Sequence, residues 1–176
     1  MSPTIAIERL TDERAAERVE PLWREYVPWV MRQMQAEYGW HFGDPEGAVE
    51  QHHQLLAAEL PRLTGPRGRL FLAHRQSEAA GVVALKPVDQ RVAEVKRMYV
   101  RPAARGQGVG CALLERLIAE ARGIGYRQLR LETLDFMERA IGLYRSLGFV
   151  DALAFQDSEV AMTGLTRHTR FMELPL

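Results

Sequence analysis

The sequence predicts a single α/β domain of about seven strands and four helices. The length of 176 residues fits one hydrophobic core, so one domain is expected to span residues 1–176. The second observation is the order of the alternating and helical apolar patterns. They run as one strand, two helices, three strands, one helix, one strand, one helix and two strands.

The N-terminal third contains one predicted strand and two predicted helices. Residues Thr4–Glu8 alternate apolar and polar side chains, and Thr11 and Asp12 offer N-cap oxygens to the helix that follows. Pro28 lies inside the apolar pattern of that helix and removes a backbone N–H, so we expect a kink or a break there. A second helix is predicted from about Pro45 to Leu60.

The remaining elements alternate strands with two further helices. Three strands, expected to form an antiparallel meander, cover Leu70–His74, Ala80–Leu85 and Val92–Val100. An amphipathic helix with Leu113, Leu114 and Leu117 on its apolar stripe ends at Gly123 and Gly125. After the strand Leu129–Thr133, Asp135 and Glu138 resemble a capping box for a helix ending at Ser146. The last predicted strands are Phe149–Phe155 and Thr169–Leu174.

The segment Arg105-Gly106-Gln107-Gly108-Val109-Gly110 has the composition of a phosphate-binding turn. Its glycines let the backbone approach a ligand, and the N–H groups of the following helix favour an anion. Arg101 and Arg105 add formal charge nearby. A Walker A turn would need Lys and Ser or Thr at the end, and a dinucleotide turn would need a third glycine at Cys111. Neither pattern fits this turn.

Two motifs in this order resemble the GNAT superfamily of N-acetyltransferases. The first is the strand ending Met98-Tyr99-Val100-Arg101-Pro102 followed by the glycine turn, and the second is the segment Leu143-Tyr144-Arg145-Ser146-Leu147-Gly148-Phe149. The resemblance covers roughly Leu70 to Leu174. It implies the GNAT fold, with a mixed, mostly antiparallel sheet that is splayed at its central strands.

The resemblance implies that acetyl-CoA is the acyl donor and that no metal is needed. Backbone groups of the strand end and of the turn are the expected cofactor contacts: Met98, Tyr99, Val100, Arg105, Gly106, Gln107, Gly108, Val109, Gly110 and Cys111. One departure concerns Met137, where many relatives carry an Asn that contacts CoA. A thioether cannot replace that hydrogen bond, so no ligand role is carried over to Met137.

Three residues are candidates for acid and base catalysis. Tyr144 matches the tyrosine that protonates the leaving thiolate in many members of the superfamily. A base must remove a proton from the acceptor ammonium, and carboxylates on the central strands are the candidates. Glu94 and Glu132 both match positions at which some members carry a catalytic Glu. Each can instead be a structural carboxylate, with Glu94 paired to Lys96 or Arg97, and Tyr144 can instead be a packed aromatic.

Aromatic and histidine side chains near the N-terminus receive weaker predictions. Trp23, Tyr26 and Val30 recur at helical spacing and are expected in the core, whereas Trp29, Tyr38 and Trp40 are candidates for acceptor contacts. The adjacent His52 and His53 are expected to be solvated, because neighbouring helical residues project about 100° apart.

Composition limits the partners and the compartment. The 23 Lys and Arg balance 23 Asp and Glu, so no global charge favours nucleic acid or a membrane surface. The single cysteine and the lack of a signal-peptide pattern predict a cytoplasmic protein. The expected acceptor is a small-molecule or peptide amine, and the oligomeric state stays open, a homodimer included. The alternative function is a non-catalytic acyl-CoA-binding sensor or interaction module.

Overall fold

The computed structural model describes residues 4–41, 43–158, 160 and 164–176. Its elements follow the predicted order. The strands are β1 (Ile5–Arg9), β2 (Arg69–Arg75), β3 (Glu78–Pro87), β4 (Val92–Val100), β5 (Gln128–Leu134), β6 (Val150–Asp151) and β7 (Thr169–Pro175). The helices are α1 (Ala15–Tyr38), α2 (Pro45–Thr64), α3 (Val109–Ile124) and α4 (Glu138–Ser146). No helix in the described ranges is long and apolar enough to cross a bilayer.

All seven strands belong to one sheet, in the spatial order β1-β2-β3-β4-β5-β7-β6. The neighbouring strands are antiparallel except for the central β4 and β5, which run parallel. The predicted mixed, mostly antiparallel sheet of the GNAT fold is therefore confirmed, and so is the predicted meander of β2, β3 and β4.

Helices cover both faces of the sheet and create two apolar cores. In β2, Phe71 packs into the core that contains α3 and α4, whereas its neighbours Leu70 and Leu72 pack into the core that contains α1 and α2. Val82 and Val83 of β3 alternate in the same way. Because both faces of these strands are buried, their sequences are nearly continuous apolar runs.

Helix α1 is not broken at Pro28. The helix continues through Pro21 and Pro28, although an internal proline costs about 3 kcal/mol through its lost N–H bond and its ring clash. Val19, Leu22 and Val27 are fully buried along this helix, and their burial offsets that cost. Helix α2 likewise runs through Pro61 to Thr64 rather than ending near Leu60.

Two local predictions for the C-terminal part are wrong. The capping box does not form, because the Asp135 carboxylate accepts a hydrogen bond from the Tyr38 hydroxyl and lies 3.6 Å from His168 Nδ1. Helix α4 begins instead after Met137, without a side-chain cap. The strand expected at Phe149–Phe155 is reduced to the two residues of β6, which lie at the edge of the sheet.

Candidate active site

The central strands β4 and β5 separate at one end of the sheet. They pair from Val92 and Gln128 to Glu94 and Arg130, and within the described residues their pairing ends there. Strand β4 then continues to Val100 and β5 to Leu134. In a continuous sheet, the neighbouring strand would satisfy the backbone N–H and C=O groups that face this gap. Because β4 and β5 do not pair here, these groups are available to a ligand. The predicted splay of the sheet is therefore present.

A β-bulge lies in β4 beside this gap. Val82 pairs with Tyr99 and Ala84 with Lys96, so Arg97 and Met98 together face one residue of β3. Arg97 has a φ of 59°, which is unusual for a residue with a side chain. Bulges of this kind redirect side chains and are frequent next to active sites. Here the Arg97 guanidinium donates to the Glu59 carboxylate at 2.7 Å.

A cavity of about 370 Å³ lies in the gap, and we call it the main cavity. Its walls come from α1, α2, both central strands, α4 and the start of β7. The residues that line it are Trp23, Tyr26, His52, Leu55, Glu59, Val95, Lys96, Arg97, Met98, Glu132, Thr133, Leu134, Met137, Ala140, Tyr144, Val160 and Thr169. The main cavity therefore brings together two of the three predicted catalytic residues, Glu132 and Tyr144.

Tyr144 lies on the buried face of α4 and is 5% exposed. Its ring packs edge-on against Phe149, with the ring centroids 5.8 Å apart. Burial, with a smaller contribution from Tyr26, raises the pKa of Tyr144 above its usual range. The phenol therefore stays protonated at neutral pH and can serve as a proton donor.

Glu94 lies on β4 and is held by two cations. It is 5% exposed, and its carboxylate lies 3.1 Å from Lys96 Nζ and 3.0 Å from Arg130 Nη2. Glu94 lines a smaller polar cavity of about 220 Å³ together with Arg130, Asp157 and others, and not the main cavity. This arrangement matches the structural alternative for Glu94 that the sequence left open.

Glu132 lines both the main cavity and the smaller polar cavity. Burial raises the pKa of Glu132, a hydrogen bond from Ser158 opposes this effect, and the charge of Glu94 adds to it. Ser158 itself is 6% exposed, and its hydroxyl oxygen accepts the Val160 N–H at 3.2 Å. Glu132 is thus a carboxylate whose proton affinity is increased and whose side chain reaches the main cavity.

The glycine turn joins β4 to α3 with two residues in the left-handed region. Gly106 has a φ of 71° and Gly108 a φ of 83°, and a Cβ on Gly106 would meet no atom within 4 Å. The first hydrogen bond of α3 runs from the Ala112 N–H to the Gly108 carbonyl. The N–H groups of the helical residues before Ala112 therefore have no carbonyl partner within the helix. An anion site at a helix N-terminus requires such N–H groups.

The two arginines near the turn are engaged elsewhere in the fold. Arg101 lies 2.8 Å from the Glu25 carboxylate, so its charge is neutralised by α1. Arg105 donates through Nε to the Val100 carbonyl at 2.9 Å, and its guanidinium lies 5.3 Å from the centre of the Trp29 ring. Both arginines thus carry formal charge near the turn, but that of Arg101 is paired with Glu25, while Arg105 stays a predicted cofactor contact.

Cys111, in the first turn of α3, is not activated by its position at the helix N-terminus. Burial and the neighbouring Glu115 raise the pKa of the Cys111 thiol. Its predicted place beside the cofactor turn needs no reactive thiolate. Among the described residues, no group of three or more His, Cys, Asp or Glu side chains is placed to hold a metal.

The comparisons with known proteins agree with this geometry. Residues 20–149 match the family described as Acetyltransferase (GNAT) family. The chain is 37% identical to the IAA acetyltransferase of Azospirillum brasilense over 129 residues, which cover 73% of this chain and 79% of that protein. The chain therefore belongs to the GNAT superfamily, and it is an acyl-CoA-dependent N-acetyltransferase.

Solved structures support the same fold. The PaiA N-acetyltransferase from Thermoplasma acidophilum in complex with coenzyme A aligns with a TM-score of 0.76 and 19% identity, over 98% of this chain and 99% of that one. A GNAT family acetyltransferase from Elizabethkingia anophelis with acetyl-CoA bound aligns with a TM-score of 0.60 and 18% identity, over 98% of each chain. At these identities the alignments establish the fold.

Some residues of the main cavity were not expected from the sequence. Trp23 and Tyr26 were expected to be core residues, and they also line the main cavity, unlike Trp29, Tyr38 and Trp40. His52 lines it as well, whereas the sequence predicted a solvated side chain. One signal was available, because His52, Leu55 and Glu59 recur at the spacing of one helix face.

Proposed function

We propose that this protein transfers the acetyl group of acetyl-CoA to a primary amine by direct attack in a ternary complex. The observation that carries the proposal is the main cavity between β4 and β5, which contains both Tyr144 and Glu132. A single cavity with a protonated phenol and a carboxylate of raised pKa offers both proton transfers that the reaction needs.

The donor is proposed to bind along the unpaired side of β4 and on the glycine turn. Backbone groups of Met98, Tyr99 and Val100 would pair with the pantetheine arm, because β5 leaves that side of β4 open. The residues from Gly106 to Cys111 would hold the pyrophosphate through backbone N–H groups. The open space above Gly106 fits this role. Bound there, acetyl-CoA supplies the thioester whose carbonyl carbon is attacked.

Of the two carboxylates, Glu132 is proposed to receive the first proton of the acceptor ammonium. An alkylammonium has a pKa near 10.4, so deprotonating it at pH 7 costs about 4 to 5 kcal/mol. A carboxylate in the cavity attracts the cation and takes that proton. Glu94 is less suited to this step, because Arg130 and Lys96 already compensate its charge.

Tyr144 is proposed to protonate the thiolate that leaves. Burial raises the pKa of Tyr144, so the phenol stays protonated until the thiolate forms and can then transfer its proton to it. The acceptor itself is proposed only as a class, a small-molecule or peptide amine. The cytoplasmic location and the oligomeric state stay predictions from the sequence.

The experiment that tests the proposal measures CoA release by the purified protein. Acetyl-CoA is incubated with a panel of amino acids, polyamines, aminoglycosides and peptides, and the products are examined by mass spectrometry. We expect at least one amine to gain 42 Da with stoichiometric CoA release. If acetyl-CoA binds and no amine in the panel is acetylated, the proposed transfer to a primary amine of these classes is wrong.

A further inference from the structure

His52 lies in the wall of the main cavity and has no role in the proposed function so far. It is located in the middle of α2 and is half-buried. Helix α2 lines the main cavity through this residue, Leu55 and Glu59. The same cavity contains Glu132 and Tyr144, so His52 lines the space where the acceptor amine is proposed to react.

A hydrogen bond fixes which nitrogen of His52 is free. The Nδ1 atom lies 3.1 Å from the Ala48 carbonyl oxygen, one helical turn earlier. A carbonyl oxygen can only accept a hydrogen bond, so Nδ1 must carry the hydrogen. In the neutral ring, Nε2 then holds the lone pair. Among the described residues, Nε2 has no hydrogen-bond partner, so this lone pair is available.

The surroundings keep the ring neutral. The ionisable groups that share the main cavity with it are Glu59 on α2, Tyr26 on α1, Lys96 and Arg97 on β4, Glu132 on β5 and Tyr144 on α4. Burial lowers the pKa of His52 below 6.5, the bond to Ala48 opposes this shift, and the charge of Arg97 adds to it. At pH 7 the ring is therefore uncharged and can accept a proton.

The reaction leaves a second proton to be removed. After Glu132 takes the first, the neutral nitrogen forms its bond to the thioester carbonyl carbon and still carries two hydrogens and a positive charge. We propose that His52 Nε2 accepts one of these hydrogens as a proton. This inference rests on the proposed function, because it concerns the same cavity and the same amine.

The proton and electron balance is as follows. The electron pair of the carbonyl moves to oxygen when the N–C bond forms, and returns when the C–S bond breaks. The thiolate takes the Tyr144 proton, and the His52 proton restores that phenol through solvent. Glu132 releases its proton to the bulk. One ammonium and one thioester thus give one amide, one thiol and one proton.

His53 provides a matched control on the same helix. Adjacent helical residues point about 100° apart, and His53 Nδ1 lies 3.9 Å from the Glu20 carboxylate of α1. His53 is not among the residues that line the main cavity. A substitution at His53 therefore changes a histidine of α2 without changing the proposed proton acceptor.

The first test is spectroscopic and needs no acceptor. Long-range ¹H–¹⁵N correlation spectra of the wild-type protein at pH 7 report which nitrogen of each imidazole is protonated, and the spectrum of His52→Asn assigns the His52 signals. We expect the hydrogen on Nδ1 and a titration midpoint below pH 6.5. A ring protonated at Nε2 in its neutral form would overturn the proposal, because the lone pair would then point at Ala48.

The second test is kinetic and uses His52→Asn, whose amide can still donate to the Ala48 carbonyl. We expect kcat to fall about 100-fold, acetyl-CoA affinity to stay within twofold, and added imidazole to restore part of the rate. In the plot of log(kcat/KM) against pH, the slope of the acidic limb should change from two to one. His53→Asn should retain the wild-type rate and slope.

The two proposals fail in different ways. If His52→Asn keeps the wild-type kcat and a slope of two, or if His53→Asn loses as much activity, the role of His52 is wrong while amine acetylation stands. If the wild-type protein acetylates no amine, the proposed function itself fails.

Discussion

Glu94 and Arg130 form the last residue pair between β4 and β5, at the point where the two strands separate. Their side chains are joined by an ion pair. One carboxylate oxygen of Glu94 accepts both Nε and Nη2 of Arg130, at 3.1 and 3.0 Å. Arg130 also contacts the Asp157 carboxylate at 2.7 Å, beyond the sheet. The opening of the main cavity therefore begins at a buried charge pair.

Removing the cation of this pair should destabilise the fold. Arg130→Met leaves the 5% exposed Glu94 with Lys96 alone, and breaking a buried pair costs about 3 kcal/mol. Arg145→Met is the matched control, because its ion pair with Asp151 has a similar distance of 2.9 Å but both side chains are 53% exposed. Urea unfolding should show a clear loss for Arg130→Met and less than about 0.5 kcal/mol for Arg145→Met. Equal losses would contradict this account of the pair.

Tyr144→Phe should lower turnover without weakening donor binding. The substitution removes the hydroxyl and keeps the ring that packs on Phe149, so the fold should be retained. We expect kcat to fall about 100-fold or more, while calorimetry gives an acetyl-CoA affinity within twofold of wild type. Because burial raises the pKa of Tyr144, the wild-type rate should show no alkaline loss from this group below pH 10. Full activity of Tyr144→Phe would remove the phenol from the mechanism.

Glu132→Gln should reduce kcat/KM far more than Glu94→Gln. Glu132 lines the main cavity and Glu94 does not, so the first substitution removes the proposed proton acceptor. We expect a loss of about 100-fold for Glu132→Gln at pH 7. Its acidic limb should also lose one ionisation, which lies above pH 4.5 in the wild type. The reverse order of the two variants would return the role of base to Glu94.

The same substitution should stabilise the protein at neutral pH. The folded pKa of Glu132 is raised, so the folded state binds more protons between pH 4.5 and that pKa, and stability falls as pH rises through this window. The cost grows as Glu132 ionises in the folded protein, and neutral Gln removes it. Thermal unfolding should therefore show a higher Tm for Glu132→Gln at pH 7, with no gain at pH 4. For a domain of this size, about 1 kcal/mol of stability corresponds to a Tm change of 2–4 °C.

Glu120 is a control for which the change of stability with pH has the opposite sign. Its hydrogen bond from Arg69 lowers the pKa of Glu120, so this carboxylate stabilises the fold above pH 4.5 and loses that contribution on acidification. Glu120→Gln should therefore lower Tm at pH 7. If both substitutions lower Tm equally at pH 7, the inferred cost of burying Glu132 is wrong.

The order of elements was predictable because apolar periodicity and glycine positions are local features of the chain. Val92–Val100 coincides with β4, and Gly125 caps α3 with a φ of 97°. The failures arose where tertiary contacts outweigh local preference. Pro28 does not break α1, because the buried face of α1 holds the helix together, and Asp135 binds Tyr38 instead of capping α4. The local sequence pattern of one element does not contain information about these tertiary contacts.

The sequence supplied candidate residues for the site but not their geometry. Glu94 and Glu132 carry equivalent sequence signals, since both are carboxylates on central strands. Only the sheet register shows that Arg130 faces Glu94 and that Glu132 lies beyond the last paired residue. The tautomer of His52 depends on a bond to the backbone of its own helix, which residue types do not reveal.

The most direct measurement of the central claim is the affinity of acetyl-CoA for Gly106→Glu. Gly106 and Gly125 flank the two ends of α3, both have positive φ, and a Cβ on either meets no atom within 4 Å. Both substitutions therefore put a side chain on a backbone of positive φ, and only Gly106→Glu puts a carboxylate where the pyrophosphate is proposed to bind. By isothermal titration calorimetry, we expect acetyl-CoA binding to be lost in Gly106→Glu and retained in Gly125→Glu. Wild-type affinity in Gly106→Glu would contradict the assignment of this turn as the donor site.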